Sequence, residues 1–128
     1  MTMLSKNDLA KAGEEAAANY MLHKGYRIIC RNFRVQQGEI DLIVEKDQQL
    51  IFVEVKTRKY HSIESAIASV NYRKQAHISR VAQIYCSQNP QYRNHNTRFD
   101  VITALYDDSI ESFSIKHFED AFLPVDLP

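Results

Sequence analysis

At 128 residues, 45% apolar and 25% charged, the chain is sized for one domain with a real core and has the make-up of an ordinary globular protein. No apolar run approaches the ~20 residues that span a bilayer, and the start, Met1-Thr2-Met3-Leu4-Ser5-Lys6, lacks a signal-peptide core. A cytoplasmic location is therefore expected. Sixteen basic residues balance sixteen acidic ones, which argues at first against a polyanionic partner. The charges are unevenly spread, however. Residues 107–128 hold six acids and one base, whereas Glu54 to Arg98 holds eight bases and two acids. Such a basic stretch suits a polyanion, although a charge run is more often a solvated face. Cys30 and Cys86 are too few for a disulfide framework and read as reduced, buried thiols, and no Cys/His spacing suits zinc.

In chain order, the first predicted element is a helix from Lys6 to Lys24. Ser5 with Asp8 resembles a capping box, and Gly25 suits the position after the last turn. Leu9, Ala12, Ala16, Ala17, Tyr20 and Met21 form its apolar stripe. Glu14 sits at the edge of that stripe, where a glutamate usually faces solvent. A strand is expected over Tyr26 to Val35, with Ile28, Cys30 and Asn32 on one side, Ile29 and Phe33 opposing, and Arg27, Arg31 and Arg34 decorating it.

The next two predicted strands, Gly38 to Val44 and Leu50 to Lys56, flank the short polar turn Lys46-Asp47-Gln48-Gln49 and read as a hairpin. With the loop centred between Asp47 and Gln48, paired positions sum to 95. Asp41 then faces Glu54, and Glu39 faces Lys56. Val44/Ile51, Leu42/Val53 and Ile40/Val55 pair on the other, wholly apolar face, and that face fixes the register. Like charges directly opposite, with Cβ atoms ~4.5–5.5 Å apart, are destabilising. A hard divalent cation with oxygen ligands would resolve the conflict, and Mg²⁺ characteristically takes one or two carboxylates plus waters and phosphate oxygens. Lys56 projects from the same face as Glu54 and could orient an attacking water or stabilise developing charge. The alternative is a solvated sheet face with alternating ion pairs. Against it, the same face turns apolar at Ile43 and Phe52, so something should cover part of it.

Thr57-Arg58-Lys59-Tyr60-His61-Ser62 reads as a basic loop able to touch a phosphate backbone, or as ordinary surface. A short helical piece is expected from Ile63 to Ser69. A longer helix follows from Tyr72 to Ser87, with Asn71 as N-cap and Ile78, Val81, Ala82 and Tyr85 as its buried stripe. Lys74 falls on the inward side of its first turn, where backbone N–H groups and the dipole favour an anion; the alternative is a lysine that snorkels to solvent. Gln88 to Asn96 reads as a polar loop. Thr97 to Tyr106 reads as a strand with Phe99, Val101, Thr103 and Leu105 on one face and an Arg98–Asp100 pair on the other. A last strand is expected over Ile110 to Lys116, followed by a C-terminal tail, residues 117–128, that packs through Phe118, Phe122 and Leu123.

The order helix, three-stranded meander, helix, strand, with Asp on the second strand and Glu-Val-Lys on the third, resembles the PD-(D/E)xK nuclease superfamily. The segments Gly13-Glu14, Arg31-Asn32-Phe33-Arg34, Gly38-Glu39-Ile40-Asp41-Leu42-Ile43, Phe52-Val53-Glu54-Val55-Lys56-Thr57-Arg58, Arg73-Lys74-Gln75 and Arg98-Phe99-Asp100-Val101 resemble more closely the bacterial YraN family of predicted endonucleases, which is similar to archaeal Holliday junction resolvases. The resemblance implies a single α/β domain over residues 1–128, restriction-endonuclease-like, with a central mixed β-sheet flanked by helices. It implies Asp41 and Glu54 as metal ligands, the Val55 carbonyl as a third, and Lys56 as the residue that positions the attacking water. Glu14 would reach the site from the first helix. Arg58, Lys59, Arg73 and Lys74 are the candidate nucleic-acid contacts. The implied cofactor is Mg²⁺ or Mn²⁺, and the implied partner is DNA, branched or damaged. Separately, a nuclease of this size that cuts two strands would need two copies, which makes a homodimer possible. Ile40 stands where the superfamily name has proline, Tyr60-His61-Ser62-Ile63 lacks an expected Phe-Gly, and Tyr72 replaces a common proline. The rival readings are a non-catalytic DNA-binding module on the same fold and a protein-interaction subunit that docks through its acidic C-terminal part.

Overall fold

The computed structural model describes residues 5–59 and 70–125. The helical piece expected over 63–69, the loop residues Tyr60, His61 and Ser62, and the last three residues lie outside them. The first helix, α1, spans Lys6–His23, and the second, α2, spans Tyr72–Gln88. Strands β1 (Arg27–Val35), β2 (Gly38–Lys46), β3 (Gln49–Lys59), β4 (Asn96–Asp107) and β5 (Ser112–Phe122) form one mixed sheet in sequential order. All neighbours are antiparallel except β3 and β4, which are parallel. A parallel neighbour needs a crossover connection, and α2 lies within the one between β3 and β4.

Local chemistry places both helices. The Ser5 side chain accepts the Asp8 N–H at 3.1 Å, and Gly25 continues from the last turn of α1 at φ +90, where a Cβ would be strained. Asn71 accepts the Lys74 N–H at 2.9 Å and starts α2. α1 buries Ala17, Ala18 and Met21 against Leu42, Val44, Ile51, Val53 and Val55 on one face of the sheet. Its stripe is rotated toward Gly13 and Ala17, so Leu9, Ala12, Ala16 and Tyr20 are only half-buried. α2 buries Ile78, Val81, Ala82 and Tyr85 against Ile43, Leu50, Phe52 and Phe99 on the other face. This helix is the cover that the apolar side chains Ile43 and Phe52 called for.

Gly13 sets how closely α1 approaches the sheet. A Cβ there would lie 2.1 Å from Thr57 Oγ1 and 2.9 Å from Thr57 Cβ. The helix therefore rests on β3 at a separation only glycine allows, and the next residue, Glu14, is brought down toward the strands.

The hairpin has the expected register, with Leu42 opposite Val53 and Val44 opposite Ile51. Several expectations are corrected. Ile40 does not share a face with Leu42; it packs in the α2 cluster. Glu39 does not face Lys56, because β2 follows β1 at that end, and Glu39 instead accepts Arg34 Nε at 2.8 Å. In β1, a register shift between Ile28 and Cys30 sends Cys30 to the α2 side with Ile29 and Phe33; an inserted residue reverses the alternation. Both cysteines are free and only partly buried. Thr57, Arg58 and Lys59 belong to β3 rather than to a loop, held by parallel pairing with Ala104, Leu105 and Tyr106. His117 to Phe122 is likewise no tail. β5 continues through a second register shift, opposite Phe99 and Val101, to Phe122, whose ring stacks on Phe99 at 5.0 Å. Phe118 and Leu123 remain exposed.

Arg98 and Asp100 pair as expected, through Nε–Oδ1 and Nη2–Oδ2 contacts of 2.8 Å each. The fully buried Asp100 also accepts the Asp120 N–H at 2.9 Å and stands 2.6 Å from His117 Nε2. Burial alone would raise its pKa, but the His117 and Arg98 hydrogen bonds outweigh that and hold it below the usual carboxylate range. Among the described residues no helix is long and apolar enough to cross a membrane.

Candidate functional site

The candidate site lies where β2 and β3 part. Their ladder runs as far as Leu42–Val53, and the next rung in that register would set Ile40 opposite Val55. Instead, the Val55 N–H donates to Asp41 Oδ2 at 2.8 Å. A side-chain carboxylate has replaced a backbone acceptor. That exchange frees Ile40 to turn to the α2 side and fixes Asp41 between the strands. The N–H and C=O of one strand residue point to the same edge, so the Val55 carbonyl faces the same gap.

Asp41 and Glu54 are both buried, at 8% and 7% exposure. Burial, and then the negative charge of Glu54, pushes the Asp41 carboxyl up to about 7 against the opposing pull of the Val55 N–H. Two lysines approach Glu54. Lys56 Nζ stands 3.2 Å from Glu54 Oε1, and Lys74 Nζ, in the first turn of α2, stands 3.7 Å from the same oxygen. Lys56 is nearly buried, whereas Lys74 is largely open.

Glu14 is half-buried and contributes to the negative potential at Asp41. Its own pKa is raised, first by burial and then by Glu39 and Glu54, against a lowering hydrogen bond from Asn32. A cleft of about 260 Å³ joins it to Asp41, with Lys11, Glu15, Arg31 and Asn32 on its walls. Arg31 pairs with Glu15 at 2.6 Å. Glu14, Asp41, Glu54, Val55, Lys56 and Lys74 are thus neighbours. Arg58 lies further along β3, its Nη1 donating to Thr57 O at 2.8 Å, and Lys59 is exposed at the strand end. Both line a second cleft with Lys6. Arg73 is exposed on the first turn of α2.

Asn32 escaped the sequence reading. It has φ 53, a left-handed conformation that asparagine tolerates better than most residues, and it aims its side chain at Glu14. The sign available in the sequence was an asparagine in the middle of an apolar strand pattern.

Among the described residues no three His, Cys, Asp or Glu side chains converge as a ready cage for a metal. The donor set, two carboxylates and a backbone carbonyl, nevertheless fits a hard ion that keeps several waters, as Mg²⁺ or Mn²⁺ does. The imbalance of partners is in keeping with that fit: among the described residues Glu54 has two ammonium groups beside it, whereas Asp41 has one N–H donor, from Val55.

The uncharacterised protein family UPF0102 matches residues 13–104, a span that opens at Gly13 and takes in Glu14, Asp41, Glu54, Lys56, Lys74 and Asp100. The chain belongs to this family, also known as the YraN family. A UPF0102 protein of Chlorobium limicola is 42% identical over 120 residues, covering 91% of this chain and 92% of that one. UPF0102 proteins of Clostridium botulinum and Caldicellulosiruptor bescii are 37% identical over 115 residues and 34% over 119, the latter across the whole of the relative. Among solved structures, Pyrococcus furiosus SfsA in complex with Ca²⁺ overlaps with a TM-score of 0.40 and 17% identity, over 98% of this chain and 67% of that one. So loose an overlap carries no argument.

Proposed function

We propose that this protein is a Mg²⁺- or Mn²⁺-dependent endonuclease that hydrolyses phosphodiester bonds in DNA, at branched or damaged structures, on a restriction-endonuclease-like fold. The observation that carries the reading is the buried Asp41–Glu54 pair at the parting of β2 and β3, with the Asp41 carboxyl pushed up to about 7. A binding protein gains nothing from two opposed buried acids, whereas a hydrolase gains an ion site. Asp41, Glu54 and the Val55 carbonyl would hold the ion, which when bound supplies a water of lowered pKa and positive charge beside the scissile phosphate.

The chain's own groups divide the remaining work. Lys56, already against Glu54, donates to the attacking water and holds it in line. Glu14, across the cleft from Asp41, accepts a proton from water in the outer part of the site; its raised pKa makes it a better base than an ordinary glutamate. Lys74, in the first turn of α2, binds a phosphate oxygen with the help of the helix dipole. Arg58, Lys59 and Arg73 extend the contact to flanking phosphates.

The test is cleavage of labelled four-way junction, flap, single-stranded and plain duplex DNA with Mg²⁺, Mn²⁺ or EDTA. Metal-dependent cutting that disappears in Asp41→Asn and Lys56→Ala supports the reading. Equal cutting by those variants would mean the site is misassigned. A second reading, a non-catalytic DNA-binding module, draws support from Lys56 and Lys74, which already neutralise Glu54. Salt-sensitive retention of one DNA shape without cutting in any metal would favour it.

A further inference from the structure

We propose that the groove beside Glu54 is a nucleobase pocket: it receives an unpaired base of the DNA whose backbone lies at the carboxylate pair. The inference rests on the nuclease reading and adds a substrate requirement, a base free of its partner next to the bound phosphate. Among the described residues the groove is lined by Val70, Gln75, Val101, Phe118, Ala121 and Phe122 and has a volume of about 520 Å³; the neighbouring Glu119 turns its carboxylate to Tyr26 and Arg98. That volume is in the range of sites for small organic groups.

Two features identify the occupant. The first is continuity with the acid pair. In the β3–β4–β5 register Glu54 lies beside Val101, and Val101 beside Phe118. Side chains that are neighbours across strands share a face, so the floor of the groove is the same row that carries Glu54. Its wall is the first turn of α2, where Gln75 follows Lys74 and donates Nε2 to Val70 O at 3.2 Å. A phosphate at Lys74 therefore has the groove within one nucleotide. The second feature is the surface. Phe118 is 38% exposed, and the Phe122 ring, itself half-buried, rests on Phe99. Flat, sequence-tolerant stacking on aromatic rings is how single-stranded nucleic acid is held.

The groove is also a built feature. β4 and β5 slip register between Phe99 and Val101, opposite Phe122 and Phe118. Asp120, at the slip, has φ 51, and its N–H is held by the buried Asp100. The Arg98–Asp100–His117 cluster thus fixes the bulge that lies between Phe118 and Phe122.

The experiment is binding of a fluorescent flap oligonucleotide in EDTA, with single abasic sites scanned through the unpaired arm. One position should weaken binding by about 5- to 150-fold, the range of a lost base–aromatic stack. Phe118→Ala should impose the same loss on intact DNA and make the abasic site silent, while Phe118→Tyr should behave as wild type. A 2-aminopurine at that position should change its fluorescence with wild type and not with Phe118→Ala. Phe118 is partly exposed on an edge strand, so its removal leaves the core intact, and a thermal melt of each variant verifies this. Equal binding of every abasic probe, or a Phe118→Ala protein that binds like wild type, overturns the pocket. So does loss of a dimer in Phe118→Ala with DNA preference unchanged, which would make the groove a contact between copies. Base-dependent binding without cleavage in Mg²⁺ sinks the nuclease reading and leaves the pocket standing; cleavage without base dependence does the reverse.

Discussion

Asp41 is held by one backbone N–H and opposed by its neighbours, and this imbalance has a measurable sign. Its carboxyl has an ordinary value of 3.8 and is raised to about 7 in the fold, first by burial and then by Glu54. Its proton-linked stabilisation is fully present below 3.8 and is lost as pH rises through about 7. Metal-free protein should therefore unfold at lower urea concentration at pH ~8 than at pH ~5 on this account. Asp41→Asn should flatten that dependence and stabilise the metal-free protein at the higher pH by roughly 1–3 kcal/mol. Mg²⁺ should raise the melting temperature of wild type and not of the variant. An Asp41→Asn protein less stable than wild type at pH ~8 in EDTA would show that Asp41 serves the fold rather than an ion. The Glu54–Lys56 contact was legible in the sequence because alternation within one strand sets residues two apart on the same face, whereas the expected rung between Asp41 and Glu54 lies beyond the last paired position, Leu42–Val53. Glu39 and Ile40 were misplaced because that alternation ends where Asp41 takes the Val55 N–H, and a pattern of residue types does not show where a ladder stops.

At the scale of elements, the packing of α1 on β3 depends on Gly13. Gly13→Ala must push Thr57 or the helix aside, at a cost of about 1–3 kcal/mol as overpacking. It should also reduce cleavage, since Glu14 rides on the same turn. A denaturant melt measures the first effect. Thr57→Gly in the same chain should recover part of the loss, and no recovery would place the strain elsewhere. The join of β4 and β5 depends on Asp100. Asp100→Ala leaves Arg98 without its buried partner and should cost about 3–5 kcal/mol, with amide exchange rising first in β5. Both helices, their caps and the central hairpin follow from local signals: Ser5 and Asn71 as caps, Gly25 as a stop, apolar spacing within each segment. The two strand irregularities do not. The bulge in β5 arises where the chain answers a distant partner, the Asp120 N–H bonding Asp100, and so residues 117–122 read as a tail; the slip in β1 between Ile28 and Cys30 has no local signal.

At the scale of the whole molecule, a balanced net charge conceals a basic region at one end of the sheet. If Arg58, Lys59 and Lys74 each neutralise a phosphate, log affinity for DNA should fall linearly with log salt. Each alanine replacement should then reduce the slope by about 0.9 on duplex DNA or about 0.7 on single strands. An unchanged slope would remove that residue from the interface. A nuclease that severs two strands of a branched structure needs two copies of this site, so a dimer mass in light scattering on junction DNA is expected; a monomer that cuts both strands would exclude the need.

The single parallel pairing in the sheet also orders events in time. β1, β2 and β3 are joined by short turns and can zip up as soon as they exist, whereas β4 must wait for the α2 crossover to be laid across the face. By contact order, the strands that carry Asp41 and Glu54 should pair before β4 closes against β3. The chain that holds the two acids is local in sequence, and the chain that closes the far side of β3 is not.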